Sequence, residues 1–406
     1  MSLSIQIILL SGWAGVCSVW FVLLIAQRRV CRDRLILEPD ASGDPPVEAG
    51  VTSWPSIAVI VPARNEAPTL DACIQSLLNQ DYPDLRIVIV DDRSRDATFD
   101  AAQRIAGRDP RVRVERVTEL PAGWMGKSYA LWTGSRAVDA DWLLFVDADC
   151  TLHPRAVRAA VADALRRCVD LLSLWPRHDA RTFWEHMLIP LCGGIIALWF
   201  GSRAWQEAER GPAFANGQFL LVRRDVYEQI GGHRSVRQAL IEDIPLAEHA
   251  RASGLRTHVA AGHRIAAVRM YDHYAAIRDG WARIYVGALR SAGRILLSMA
   301  WLLFGSLLPF VMLPTLFVAS SGALSSPPTW TVAVVLCITH LVLVAVVSYR
   351  FWGLGECRRV YLLLYPISVV IVMRILAQAW WWITVRGRVP WRDQLYAIDR
   401  RGRLVG

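Results

Sequence analysis

Between residues 56 and 261 the chain alternates short β-rich runs with stretches of helical spacing. Residues 57–61, 86–90, 112–117 and 142–146 form four such runs, the first ending at Pro62 and the second and fourth at aspartates. Residues 70–78 and about 128–138 place apolar side chains at helical intervals, and another helix is expected between the second and third runs. Strands buried on both faces by crossover helices read as near-continuous apolar runs, so this order predicts an α/β fold with a Rossmann-like, mostly parallel sheet. Ligands of such sheets bind beyond the carboxyl ends of the strands. One rim is therefore expected to collect Arg64, Asn65 and Glu66 after the first strand, Asp91 and Asp92 after the second, and Asp147 and Asp149 after the fourth.

Longer apolar stretches flank this unit. Residues 7–26 run for 20 positions without a charge, about the 30 Å that spans a bilayer. A signal peptide would carry its basic residues before the apolar run, whereas Arg28, Arg29, Arg32 and Arg34 follow it. Residues 1–27 thus read as a membrane anchor with the N-terminus outside and the next domain in the cytosol, by the positive-inside rule. Residues 28–55, rich in Pro, Gly and acidic side chains towards their end, read as a linker to a domain over 56–290. Three further apolar stretches, 295–322, 330–349 and 360–385, make a C-terminal membrane region over 295–385, followed by a basic tail over 386–406. Three plain crossings would put that tail outside, against the charge rule. Pro309, Pro314, Pro366 and Arg374 make the first and third stretches candidates for broken or re-entrant hairpins, and the tail is expected in the cytosol. Residues 187–201 are uncharged but short for a span, and a buried core helix and an interfacial helix are equally open there.

Composition sharpens this picture at three points. The net charge of +9 comes largely from arginines beside apolar segments, and the polar part has no basic stripe interleaved with aromatics, which argues against nucleic acid. The eight cysteines show no zinc-like spacing and read as reduced and mostly buried. Several of the eighteen tryptophans, Trp380, Trp381 and Trp382 among them, lie near the end of an apolar stretch, where indoles favour the headgroup level; ordinary core packing is the equal alternative.

The rim holds carboxylates. No G-x-G-x-x-G follows the first strand and no G-x-x-x-x-G-K-[S/T] occurs, which argues against a dinucleotide oxidoreductase and a P-loop NTPase. Bare carboxylates repel a nucleotide diphosphate, so the rim either holds a divalent cation or binds no phosphate. Asp147 and Asp149, two apart in extended backbone, point to one side and are placed to hold Mg2+ or Mn2+; a solvated loop is the plainer reading, and the apolar strand before them weighs against it. Asp91 and Asp92 are placed to accept from a base N–H or a ribose hydroxyl, or simply to serve the turn and cap near Ser94 and Asp96. Lys127 opens a helix after a glycine-rich loop, a suitable place to meet phosphate, although such a lysine is more often only a surface residue. Glu242 and Asp243 start an amphipathic helix; capping is the default, and the functional alternative is that Asp243 takes a proton from an attacking hydroxyl.

With these residues in order, the chain resembles the inverting family 2 glycosyltransferases of the GT-A fold. VIVPARNEA, IVIVDDRSRD, GWMGKSYAL, LLFVDADC, ANGQFLLVRRDVY and IEDIPLAEHA occur in that family's order over roughly residues 56–285. The subgroup it most resembles is the bacterial hopanoid (hopene) biosynthesis-associated glycosyltransferases, with ceramide glucosyltransferases as more distant relatives. The resemblance implies a GT-A catalytic domain with one N-terminal and several C-terminal transmembrane helices in the cytoplasmic membrane. It implies a nucleotide-sugar donor, by default a UDP-sugar, and a lipid hydroxyl acceptor. Pro62, Arg64, Glu66, Asp91, Asp92, Lys127 and Asp147 would line the donor site, Asp147 and Asp149 would hold the metal, and Asp243 would be the base. Asn216, Gln218 and Glu242 would face the acceptor. The Q/R-x-x-R-W motif of the related ceramide and polysaccharide enzymes is absent; residues 277–283 have a Trp and two Arg at another spacing, of which Trp281 and Arg283 would be the acceptor platform and diphosphate clamp. The departure argues against a processive polysaccharide synthase. Transfer to a polyprenyl phosphate, carotenoid or sphingolipid-type acceptor, and a catalytically silent scaffold or lipid carrier, are the alternatives.

Overall fold

The four β-rich runs form the parallel half of a seven-stranded sheet. The computed structural model describes residues 3–32, 36–39, 53–201, 213–319, 327–391 and 394–405. β1 (Ile57–Ala63) lies between β2 (Leu85–Asp92) and β4 (Trp142–Val146), with β3 (Val112–Val117) beyond β2, all parallel. The crossovers are α2 (Ala67–Leu78), α3 (Thr98–Ala106) and α4 (Gly126–Arg136). Every residue from 57 to 61 is 0% exposed, which is why that stretch shows no polar alternation.

The other half is mixed. The strand order is β3-β2-β1-β4-β8-β6-β9, where β6 is Leu171–Trp175, β8 is Phe219–Arg223 and β9 is Thr257–Ala261. β8 runs antiparallel to both β4 and β6, while β6 and β9 are parallel. The reversal matters for the rim: pairing Phe219 with Val146 puts the start of β8 beside the end of β4. Residues 216–218, which precede β8, therefore join Asp147 and Asp149. A small second sheet of β5 (Cys150–Leu152), β7 (Arg177–His178) and β10 (Ala266–Val268) fixes the chain just after Asp149. α5 (Ala156–Arg166) covers the sheet behind it.

Among the described residues five helices are long and apolar enough to cross a membrane by length and composition, and they behave differently. α1 (Leu3–Arg32) contains the first, Ser4–Gln27, only 11% buried. The side chains of Arg28, Arg29, Arg32 and Arg34, and the linker over 40–52, lie outside the described residues. α6 (Phe183–Phe200) starts four residues earlier than the apolar pattern because Thr182 and Glu185 form a capping box. It is 67% buried, a core helix beside the sheet. Next come α7 (Asp243–Ala252) and α8 (Tyr274–Leu289).

α9 (Ala292–Ala300) runs through a wide turn at Trp301–Leu307 into α10 (Leu308–Ala319). Pro309 has no N–H, so the Gly305 carbonyl four residues earlier loses its helical donor. Trp20 Nε1 of α1 and His340 Nε2 of α11 (Pro327–Leu354) both donate to it, the latter at 2.7 Å. Because His340 Nδ1 accepts from Trp13 Nε1 at 3.0 Å, the proton must sit on Nε2. One proline thus creates the acceptor that ties three apolar helices together.

The third C-terminal stretch is not broken by Pro366. A short turn, Arg359–Leu364, leads into α12 (Tyr365–Trp381), with the proline in the first turn, where its missing N–H costs nothing. Val369, Val372, Ile375, Leu376 and Ala379 are each 0% exposed and pack towards α6, α8 and α9. Both ends return to the α/β unit: the Arg358 amide donates to His186 Nδ1 at 3.3 Å, and Gln378 Nε2 to Asp279 Oδ1 at 2.7 Å. The basic tail then forms a hairpin of β11 (Arg388–Trp391) and β12 (Gln394–Ala397). Its end also docks on that unit, with the Leu404 amide donating to the Gln238 carbonyl at 2.9 Å.

Candidate active site

The two loops at the centre of the rim are laced together. The Asn65 amide donates to Ser94 Oγ at 3.1 Å, the Arg95 amide to Asn65 Oδ1 at 2.9 Å, and the Glu66 amide to Thr98 Oγ1 at 2.8 Å. Asn65 and Arg93 have φ of 53° and 57°, a left-handed conformation that costs a non-glycine residue about 1–3 kcal/mol and tends to cluster at functional sites. Pro62 lies half-buried just before this turn.

Asp92 is 4% exposed, 2.7 Å from Arg93 Nε and 3.6 Å from Arg64 Nη1. It packs against the start of α4, where a Cβ on residue 126 would come within 2.3 Å of Asp92 Oδ2. Gly126 lets the helix N-terminus and the carboxylate approach this closely. Asp91 is 0% exposed, and neither of its oxygens has a hydrogen bond of ordinary geometry. Burial pushes its carboxyl up, with Ser94 and then Arg116 pulling the other way.

Lys127 is the hub of a second cluster. Its ammonium is 2.8 Å from Asp147 Oδ1 and 3.0 Å from Glu242 Oε1. Burial pulls this lysine down, but Asp147, Glu242 and Asp243 more than reverse it, so it stays charged. Gly217 closes the cluster: a Cβ there would lie 3.2 Å from Glu242 Oε1, 3.3 Å from Asp243 Oδ2 and 3.4 Å from Lys127 Nζ. Its amide donates to Asp243 Oδ2 at 2.7 Å. Neither carboxylate caps α7 through its side chain in the manner of an N-cap residue. Burial pushes Glu242 up, but Lys127 and the buried His233 behind it hold it below the usual range. For Asp243 burial and the Glu242 charge act together, and its carboxyl is pushed up to about 7. A carboxylate so poised suits general-base catalysis near neutral pH.

Asp147 and Asp149 are half-buried on either side of the buried Ala148, in a turn closed by the Cys150 amide on the Asp147 carbonyl at 3.0 Å rather than in the extended backbone expected. The Cys73 thiol, buried beneath them, is raised first by burial and then by Asp149, Asp147 and Glu66, so three carboxylates act on one point. Among the described residues no group of three or more His, Cys, Asp or Glu has the geometry to hold a metal alone. Two aspartates offering hard oxygen atoms nonetheless fit Mg2+ or Mn2+, because such ions commonly take one or two carboxylates and complete their shell with phosphate oxygens and water.

The remaining expected residues divide. Asn216 and Gln218 bond each other at 3.0 Å and brace Gly217 between them. Arg283 donates to Tyr271 Oη at 3.2 Å and lies 5.0 Å from the Trp391 ring. Trp281 is 5% exposed inside the apolar core, 5.8 Å from Tyr285, so its ring has no open face to serve as a platform. Four residues that pattern reasoning passed over belong to the rim: Arg93, Gly217, His233 and Tyr396. Tyr396, on the C-terminal hairpin, is raised by burial and pulled back by Arg64 and Arg93, which places it beside the Asp92 cluster. The left-handed turn at Arg93 and the return of the tail leave no local signature in the sequence.

Residues 58–231 match the model of glycosyl transferase family 2. Over that segment the chain is similar to the family 2 glycosyltransferases. It is a transferase enzyme with a GT-A-like catalytic unit. The 4,4'-diaponeurosporenoate glycosyltransferase of Staphylococcus aureus strain MRSA252 is 24% identical over 357 residues, covering 85% of this chain and 89% of that protein. A mannosyltransferase from Pyrobaculum calidifontis, solved with GDP-Man and Mn2+, shares the fold at a TM-score of 0.53 and 21% identity. That alignment covers 92% of this chain and 99% of the other. The shared fold therefore extends beyond the matched family region into the flanking helices.

Proposed function

We propose that this enzyme transfers a sugar from a nucleotide-sugar, a UDP-sugar, to the hydroxyl of a lipid, with inversion at the anomeric carbon. The observation that carries the reading is the meeting of Lys127, Asp147, Glu242, Asp243 and the Gly217 amide at one end of the sheet, beside apolar helices. The acceptor oxygen attacks the anomeric carbon, its proton passes to Asp243, and the bond to the diphosphate breaks. One displacement with one base inverts the centre. Asp91 accepts from the base or ribose, which supplies the hydrogen bonds its buried oxygens lack. Arg64 and Lys127 face the diphosphate, and Asp147 and Asp149 would hold Mg2+ or Mn2+, which supplies charge stabilisation for the leaving group.

The acceptor reading is hopanoid-related lipid. The named Staphylococcus aureus relative favours a second, carotenoid-type acceptor. The apolar helices supply the bilayer setting: α1, α9 with α10, and α11 cross the inner membrane, while α12 lies against the catalytic domain and leaves domain and tail on the cytoplasmic side. A reporter fused to the C-terminus should then be active only in the cytoplasm. Removing the gene and comparing extracted lipids by mass spectrometry tests the reaction. One lipid class should lose a hexose-type increment, and it should regain it with the wild-type gene but not with Asp149→Ala. An unchanged lipid profile would refute the reading.

A further inference from the structure

Between α1, α6, the Trp301–Leu307 turn, α11 and the ends of β6 and β9 lies a cavity of about 320 Å3, within the range that buries a small-molecule ligand. Its wall is aromatic, with Trp20, Trp175, Trp301, Phe351 and Trp352. Among the described residues that line it there is no Asp, Glu, Lys or Arg. The two lining histidines do not supply charge either: burial holds His178 down at about 4 and also lowers His263.

One wall of the cavity touches the segment that carries Gly217. Trp175 lies 5.5 Å from Phe214, ring to ring, and Phe214 is three residues from Gly217, at most ~10 Å of chain. Ser173, two residues before Trp175, is hydrogen-bonded to the Asn216 amide at 2.7 Å. The wall at Trp175 and the Gly217–Asp243 contact are thus parts of one connected structure. On the far side the cavity is bounded by α1, the Trp301–Leu307 turn and α11, whose outer faces expose large apolar side chains such as Phe21, Phe304 and Val346.

We propose that this cavity holds the hydrocarbon body of an uncharged lipid alcohol, whose hydroxyl reaches Asp243 past Trp175 and Phe214, and that it discriminates against lipid phosphates. The inference rests on the proposed lipid transfer. A wall without formal charge leaves a buried ionic group uncompensated. At the reacting end, Asp147, Glu242 and Asp243 gather around Lys127, which is already paired with two of them, so it is poorly placed to compensate a second anion and the cluster suits a neutral hydroxyl.

Gly193 offers the test. It is buried, it lines the cavity, and a Cβ placed there meets nothing within 4 Å, so a larger side chain would grow into the space. The full chain in detergent micelles is photolabelled with a C18 alcohol bearing a diazirine, and the adducts are mapped by peptide mass spectrometry. Labelling should fall on α6, on residues 301–306 or on residues 347–355. Gly193→Phe should reduce it at least tenfold and raise KM for the alcohol by a similar factor with little change in kcat. An unaltered thermal melt establishes that the variant folds, and Gly193→Leu carries the test if the Phe variant does not. A C18 alkyl phosphate should compete at least tenfold more weakly than unlabelled C18 alcohol. Labelling elsewhere, labelling insensitive to the substitution, or equal competition by the phosphate would overturn the proposal. Cavity labelling without sugar transfer would uphold the cavity and sink the transfer reading, while transfer with labels elsewhere would do the reverse.

Discussion

Replacing Lys127 with methionine keeps the length of the side chain and removes a cation that touches both Asp147 and Glu242, at 2.8 and 3.0 Å. Breaking a buried ion pair by deleting one partner costs about 3–5 kcal/mol. Lys127 and Asp147 are 22% and 24% exposed, so the cost here should sit lower, about 2–3 kcal/mol. The larger effect falls on protonation. Asp243 lies near 7 because burial and Glu242 raise it while Lys127 opposes them. With the lysine gone the two carboxylates repel without relief, and Asp243 should rise by a further ~1–3 pH units. As the base must be ionised, wild-type kcat/KM should climb with pH through about 7, and the acidic limb of the variant should move upward by that amount. Stability moves the other way. The folded state holds a proton that the unfolded Asp releases near 4, so the contribution is full below that value and is lost as pH rises through 7. Below about pH 7 both proteins should lose this contribution in parallel, and the stability gap between variant and wild type should change only above about 7, where the wild-type carboxyl has ionised and the variant's has not. A pH–rate profile on purified enzyme decides the matter. An active variant whose acidic limb stays in place would show that Lys127 does not set the field at Asp243.

Three further outcomes follow from the same geometry. Gly217→Ala should fold normally but lose at least about tenfold in kcat, because the new methyl crowds Glu242, Asp243 and Lys127 at 3.2–3.4 Å; steady-state kinetics beside a thermal melt checks this. Tyr396→Ala should raise KM for the nucleotide-sugar several-fold by loosening the Arg64, Arg93 and Asp92 group, with little effect on the acceptor, as measured by donor titration. His340→Ala should cost about 1 kcal/mol by removing a donor to the Gly305 carbonyl, seen as a lower melting temperature in detergent while KM for the donor sugar stays unchanged.

Much of the sheet could be read from the chain because buried parallel strands leave so plain a trace. Residues 112–117 and 142–146 are strands at the expected bounds, and β1 and β2 extend only a few residues further. The rim followed from the strand ends. What local pattern could not show was reversal and convergence. The antiparallel entry of β8 brings Gly217 to the rim, and nothing in the run 220–222 encodes its direction. Lys127 reads as a phosphate ligand from its place at a helix start, yet its two carboxylate partners lie 20 and 115 positions away in the chain. The third apolar stretch has the composition of a span, and only its packing on α6, α8 and α9 shows that both ends stay with the α/β unit. The side-chain burial of Trp281 was equally invisible, since a tryptophan at a core position and one at an open platform look alike in sequence.

The central claim is that Asp243 is the base for sugar transfer to a lipid hydroxyl. It is tested most directly by following radiolabelled sugar from UDP-sugar into extracted lipid, in membranes containing wild-type or Asp243→Asn enzyme with Mn2+ present. The asparagine is nearly the same shape and cannot take a proton, so transfer should fall by about 10²–10⁴-fold while nucleotide-sugar binding persists. Transfer at the wild-type rate by the asparagine variant would contradict the account.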